Sequence, residues 1–295
     1  GYSSVPTQNR HALLLEAVDA ARKADVVIFV GGLNKNENQD CEGADRRSLN
    51  LPYGQDELIG ELARVNRNLV AVIISGNAVA MPWVNEVPAI VEAWYGGTEA
   101  GNAIASVLAG EVNPSGKLPF TFPVRLEDNP AIALDAYPGD GKQVEYKEGI
   151  FVGYRWNDRE RIKPLFCFGH GLSYTTFEYG KVTAEGRQMG PDGTITVSVP
   201  VKNTGSRAGA EIVQLYVSDL KSSLPRPVKE LKGFRKITLQ PGQEQTVSFT
   251  IDRKALSFYD DTKQDWVAEP GTFEALVGAS ACDIRGKAAF ELTAR

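Results

Sequence analysis

A chain of 295 residues with 42% hydrophobic and 23% charged side chains has room for two domains and a sizeable core. A net charge of −5 with no basic block argues against a nucleic-acid binder, and no apolar run reaches membrane-spanning length. The first residue is Gly rather than Met and no signal peptide is visible, so a fragment or a processed chain is expected.

Residues 9–24 give a helical pattern, with Ala12, Leu15, Val18, Ala21 and Arg22 spaced around its turns. The apolar run Val26–Val30 has the composition of a buried strand, although periodicity alone leaves helix open. Gly31-Gly32 breaks that run, and a long polar loop extends to Leu51-Pro52. Loops of this length are functional or disordered in most proteins, and ligands of open α/β sheets lie beyond the carboxyl ends of strands. This loop concentrates Asp40, Glu42, Asp45, Arg46 and Arg47 within eight positions.

Residues 55–66 form the next helix, with Leu58, Ile59, Leu62 and Val65 on one face. The uninterrupted apolar run Leu69–Ile74 suits a parallel strand covered on both faces and ends at Ser75-Gly76-Asn77. After a short segment around Met81–Asn85, a third run spans Ala89–Tyr95 and closes at Gly96-Gly97. Thr98 is expected to cap a helix through Leu108. This alternation predicts a parallel α/β sheet with right-handed crossovers, although three clear strands are few for a doubly wound domain.

Asn113–Pro123 is rich in turn formers and cannot be helical, and residues 124–170 read as an irregular connection. From Thr194 the texture changes. Ile195, Val197 and Val199 alternate with polar residues, and Ile212–Val217, Lys232–Ile237, Gln245–Ile251 and Thr272–Val277 continue as short strands. Such spacing predicts a β-sandwich.

The three cysteines, Cys41, Cys167 and Cys282, are scattered, odd in number and without metal-ligand spacing, so free thiols are expected. His11 and His170 form no metal pair. No metal or cofactor is expected.

Glu42-Gly43-Ala44-Asp45-Arg46, followed by Leu49-x-Leu51-Pro52 and Gln55-x-x-Leu58-Ile59, resembles the acid/base loop of glycoside hydrolase family 3. Asn113–Pro119, Tyr146–Arg155 and Pro164–Tyr174 resemble further segments of that family, in the family's order. The family usually has Pro where Cys167 stands.

The resemblance implies an α/β fold class. Residues 1–123 would be the C-terminal part of a parallel-sheet α/β sandwich, 124–180 an irregular connecting segment, and 181–295 an all-β fibronectin type III-like sandwich. It implies a retaining, exo-acting β-glycosidase of the β-glucosidase kind, acting on an oligosaccharide or β-glucoside. Glu42 takes the acid/base role. The family's nucleophile is an Asp on an N-terminal (β/α)8 barrel, and nothing in this sequence resembles its motif. The barrel is therefore an expected partner, in the same or another chain. A homodimer stays open as the assembly, and a periplasmic or secreted setting is favoured over a cytoplasmic one.

Asp45 and Arg46 could touch substrate or shape the loop through a bidentate ion pair, and loop shaping is preferred. Asp40 and Glu37 read as solvated. Trp83, Trp94 and Tyr95 could stack on a sugar but fit core or interface positions better. Lys147, Glu148 and Arg155 read as interdomain contacts and His170 as a structural histidine. Two other readings compete. One is a non-catalytic carbohydrate-binding or scaffolding module. The other is a nucleotide-binding α/β protein, disfavoured because Val30-Gly31-Gly32-Leu33-Asn34 lacks the G-x-G-x-x-G spacing.

Overall fold

The computed structural model describes all residues except Pro6, Thr7 and Arg295. The chain forms two compact units, Gly1–Ala109 with Phe122–Asp128, and Gly110–Thr121 with Asn129–Arg295.

The first unit follows the predicted alternation: helix α1 (Arg10–Lys23), strand β1 (Val27–Gly32), α2 (Gln55–Val65), β2 (Leu69–Ile74), β3 (Ala89–Glu92) and α3 (Ala100–Leu108). Asn9 caps α1, its side chain accepting from the Ala12 amide at 3.1 Å. The strands form one parallel sheet in the order β1-β2-β3, with Val30 opposite Val72 and Val72 opposite Val91. Helices α1 and α2 bury Val18, Ala21, Leu58, Ile59 and Leu62. Val26, just before β1, and Ile28 and Val30 within it stand about half exposed, at 56%, 51% and 48%.

Gly31 and Gly32 belong to β1 instead of breaking it. Their smallness serves packing. A Cβ on Gly31 would lie 2.3 Å from the Gln55 Oε1, and one on Gly32, at φ +140°, would lie 2.0 Å from the Ile74 carbonyl oxygen. The buried Gln55 fills this space. Its Oε1 accepts from the Gly32 amide (2.7 Å), and its Nε2 donates to the Gly32 and Pro52 carbonyls (2.9 and 3.0 Å). One side chain thus ties both ends of the long loop together.

The expectation for Thr98 is corrected. A 3-10 turn over Gly97–Glu99 leads into α3, which starts two residues beyond Thr98 without a side-chain cap. Thr98 lies within that turn, not at the helix boundary.

The second unit opens with two short helices, α4 (Pro130–Ala133) and α5 (Tyr154–Glu160). It continues with strands β4 (Phe177–Tyr179), β5 (Thr183–Ala184), β6 (Gln188–Met189), β7 (Thr194–Asn203), β8 (Gly209–Asp219), β9 (Glu230–Leu239) and β10 (Glu244–Asp252). Helix α6 (Arg253–Leu256), the hairpin β11 (Phe258–Asp260) and β12 (Asp265–Val267), and strands β13 (Gly271–Ser280) and β14 (Asp283–Leu292) complete it. One sheet runs β10-β7-β4, with β5 also on β7, and the other runs β6-β14-β13-β8-β9. Ile195, Val197, Val199 and Val201 of β7 join Val213, Leu215, Phe249, Ile251, Phe273 and Val277 in a continuous core.

The free-thiol expectation fails for two of the three cysteines. Cys167 and Cys282 are joined by a disulfide across 115 residues, and Cys41 is free. Sequence spacing hides the pair because the fold carries the Cys167 segment to the β13–β14 turn, where the Ala281 amide donates to the Phe168 carbonyl at 3.0 Å. Polar contacts hold other residues that precede the sandwich strands. Lys117 pairs with Glu211 at 2.9 Å, both about one-tenth exposed, and Lys229 pairs with Asp158 at 2.5 Å. Arg155 meets Glu230 at 3.2 Å, and Lys147 donates to the Leu134 and Asp135 carbonyls. His170 stacks on Phe166 at 5.3 Å between centroids, and burial lowers its pKa, with Lys117 adding to the effect.

Candidate active site

The loop after β1 is ordered by its own polar side chains. Asn34 donates its amide to the Gln39 Oε1 (3.1 Å), and the Gln39 Nε2 donates to the Tyr53 hydroxyl (2.6 Å). The Asp40 amide donates to the Asn34 carbonyl at 3.0 Å. Cys41 and Ala44 then form an isolated antiparallel bridge, supported by the Cys41 Sγ on the Ala44 carbonyl at 3.3 Å. Glu42 and Gly43 are therefore the two central residues of a tight turn. Gly43 holds φ +85°, the left-handed value that the third position of a type II turn demands. Glu42 stands exposed on this turn.

Both flanks of the turn are fixed to the carboxyl ends of the strands. On the near side, the Asp40 Oδ2 accepts from the Gly76 amide at 2.6 Å and from the Tyr95 hydroxyl at 2.9 Å. Gly76 follows β2, and Tyr95 follows β3. On the far side, the Arg46 guanidinium donates to the Ala78 carbonyl (2.7 Å) and the Leu49 carbonyl (3.1 Å). The Ala80 amide adds a bond to the Leu49 carbonyl at 2.8 Å. Burial lowers the Arg46 pKa, partly offset by Asp40 and Tyr95. Asp45 is exposed beside it.

Glu92 ends β3 beneath this assembly. Its Oε1 accepts from the Ser75 hydroxyl and the Trp94 amide, each at 3.2 Å, while its Oε2 is buried with no hydrogen-bond partner among the described residues. Burial dominates and pushes the carboxyl up to about 7, against the lowering effect of those bonds. Burial, then the bond to Asp40, pushes the Tyr95 hydroxyl up to about 12. Trp94, between them, takes φ +52°, which a bulky residue seldom adopts.

Asp40 is therefore not merely solvated, as the sequence suggested, because two donors converge on one of its oxygens. Glu37 is exposed as expected. Trp83 is buried, and its Nε1 donates to the Asp56 Oδ1 at 2.9 Å. Sequence reasoning missed Glu92, Gly76 and the bonding role of Tyr95. One signal was available for Glu92, a carboxylate interrupting the otherwise apolar run Ala89–Tyr95.

Residues 7–154 match the family model described as Glycosyl hydrolase family 3 C-terminal domain, and 211–281 match that of the Fibronectin type III-like domain. The chain is 57% identical over 289 residues to Beta-glucosidase BoGH3A of Bacteroides ovatus, covering 97% of this chain and 39% of that protein. It is 49% identical over 272 residues to Thermostable beta-glucosidase B of Acetivibrio thermocellus, covering 92% of this chain and 36% of that protein. Among solved structures, it superposes on Kluyveromyces marxianus β-glucosidase in complex with glucose, with a TM-score of 0.92 at 40% identity. That match covers 98% of this chain and 34% of the other. The Bifidobacterium adolescentis GH3 β-glucosidase gives 0.92 at 37% identity, over 99% and 42% of the two chains. The chain thus spans about two fifths of the length of the relatives it matches.

Proposed function

We propose, since the chain belongs to glycoside hydrolase family 3, that residues 1–295 supply the acid/base carboxylate of a retaining, exo-acting β-glycosidase of the β-glucosidase kind, and that Glu42 is that carboxylate. The observation that carries this reading is the exposed turn of Glu42, pinned on both flanks at the carboxyl edge of the parallel sheet. A flexible carboxyl side chain on a fixed backbone suits proton transfer to and from a substrate lying over it.

The nucleophile belongs to a (β/α)8 barrel, in the same or another chain, which closes over this edge. Its carboxylate attacks the anomeric carbon of a terminal β-linked sugar. As the glycosidic C–O bond breaks, the departing oxygen takes the proton from Glu42. The Glu42 carboxylate then accepts a proton from water, whose oxygen attacks the glycosyl-enzyme carbon and restores the nucleophile. The product keeps the β configuration through two inversions. The chain by itself holds half of this pair. Arg46, with its guanidinium engaged by two carbonyls, shapes the loop. Asp45, exposed beside the turn, is the better placed of the two to meet substrate.

Glu42→Ala in the barrel-containing enzyme tests this. Loss of general acid catalysis should lower glycosylation by about 10²–10⁴-fold for an alkyl β-glucoside, whose leaving group needs a proton. A dinitrophenyl β-glucoside, whose phenolate leaves unaided, should be spared in that step. Equal losses on both would refute the role of Glu42.

A further inference from the structure

We infer that Asp40 and Tyr95 are positioning residues for the acid/base step: the bond between them clamps the segment entering the Glu42 turn onto the carboxyl ends of β2 and β3. This rests on the reading of Glu42 as the acid/base. Three segments meet at one carboxylate oxygen. The Asp40 Oδ2 reaches 36 residues ahead to the Gly76 amide and 55 residues ahead to the Tyr95 hydroxyl. Asp40 lies two residues before Glu42.

The contact is close-fitting as well as polar. A Cβ on Gly76 would lie 2.9 Å from the Tyr95 Cε2 and 3.3 Å from the Asp40 Oδ2, so the Tyr95 ring lies directly over the backbone it helps to fix. The Tyr95 hydroxyl, pushed up to about 12, keeps its proton and remains a donor throughout the working pH range of a glycosidase. A bond to an ionised acceptor is among the stronger hydrogen bonds. Arg46 already fixes the far flank through Ala78 and Leu49. Releasing Asp40 therefore frees one flank of the turn while the other stays anchored. The Glu42 carboxyl would swing and not be lost. Misplacement by about 1 Å costs on the order of 10²-fold in rate.

The test uses the barrel-containing enzyme with an alkyl and a dinitrophenyl β-glucoside. Tyr95→Phe deletes one hydroxyl from a ring that is 50% exposed, so the fold should survive. It should lower alkyl-glucoside kcat/KM by about 10-fold, and Asp40→Ala by about 10²-fold, with dinitrophenyl glycosylation nearly unchanged. Asp40→Asn, which keeps an acceptor oxygen, should recover part of the loss. The Tyr95→Phe/Asp40→Ala double variant should be no worse than Asp40→Ala alone, because both remove one contact. Equal losses on the two substrates, or none, with Glu42→Ala still selective for the alkyl glucoside, would overturn the clamp and leave Glu42 in its role. If Glu42→Ala itself loses both substrates equally, Glu42 is not the acid/base and the clamp positions nothing for it.

Discussion

In the sandwich, alternate residues of β7 and β13 are sealed between two sheets, with Val197, Val199, Val201, Ala275 and Val277 fully buried. In the α/β unit, β1 leaves Ile28 and Val30 about half exposed, and the candidate site is built from polar side chains bonded to backbone groups beyond the strand ends. The first arrangement is held by apolar burial, a disulfide and partly buried ion pairs. The second is held by single contacts from Gln55, Asp40, Arg46 and Tyr95, each removable by one substitution. Stability of the sandwich and geometry of the candidate site can therefore be perturbed separately.

The sharpest separation should come from the disulfide. Replacing Cys167 and Cys282 by Ala should cost the sandwich unit about 2–5 kcal/mol. Hydrogen exchange should then quicken in β8 and β13 and leave β1–β3 unchanged. Comparable quickening in both units would break the contrast.

The reciprocal change is Gly32→Ala. A Cβ there, 2.0 Å from the Ile74 carbonyl oxygen, forces β1 and β2 apart and should destabilise the α/β unit by about 1–3 kcal/mol. Urea unfolding followed by hydrogen exchange should show the sandwich amides unaffected.

Glu92 supplies the smallest effect. Its carboxyl, pushed from 4.5 up to about 7 by burial, binds more protons folded than unfolded between those values. Its stabilising contribution is therefore full below about 4.5 and is lost as pH rises through about 7. Glu92→Gln should flatten that slope, raising α/β-unit stability at pH 8 relative to the parent by about 1 kcal/mol after allowance for partial exposure. Thermal melts of the parent and variant at pH 4.5 and pH 8 would measure it. A slope of the same size in both proteins would assign it to another group.

The fold was legible wherever periodicity reflects burial. The alternation at Ile195, Val197 and Val199 marks β7, and the run Leu69–Ile74 marks β2, because one face or both are covered. Strand β14 was missed because in Asp283–Leu292 charged residues, a Gly and two Ala separate Ile284 from Phe290 and Leu292 and blur the alternation. The disulfide was invisible because 115 residues separate cysteines that only the folded sheets bring together. The E-G-A-D-R segment on which the proposal for Glu42 rests was legible as a contiguous motif. Asp40 and Tyr95 were not, since their partnership spans 55 residues and depends on parallel strands ending side by side. Glu92 was visible as an oddity in its apolar run, but nothing local reveals the burial that shifts its titration.

Chemical rescue tests most directly whether Glu42 moves the proton in both steps. In Glu42→Ala of the barrel-containing enzyme with a dinitrophenyl β-glucoside, deglycosylation lacks its base, so the glycosyl-enzyme should accumulate after a burst. Azide, a nucleophile that needs no base, should restore turnover and release a β-glycosyl azide, identifiable by NMR from its anomeric proton. No rescue and no glycosyl azide, in an enzyme that still folds and binds substrate, would contradict the assignment.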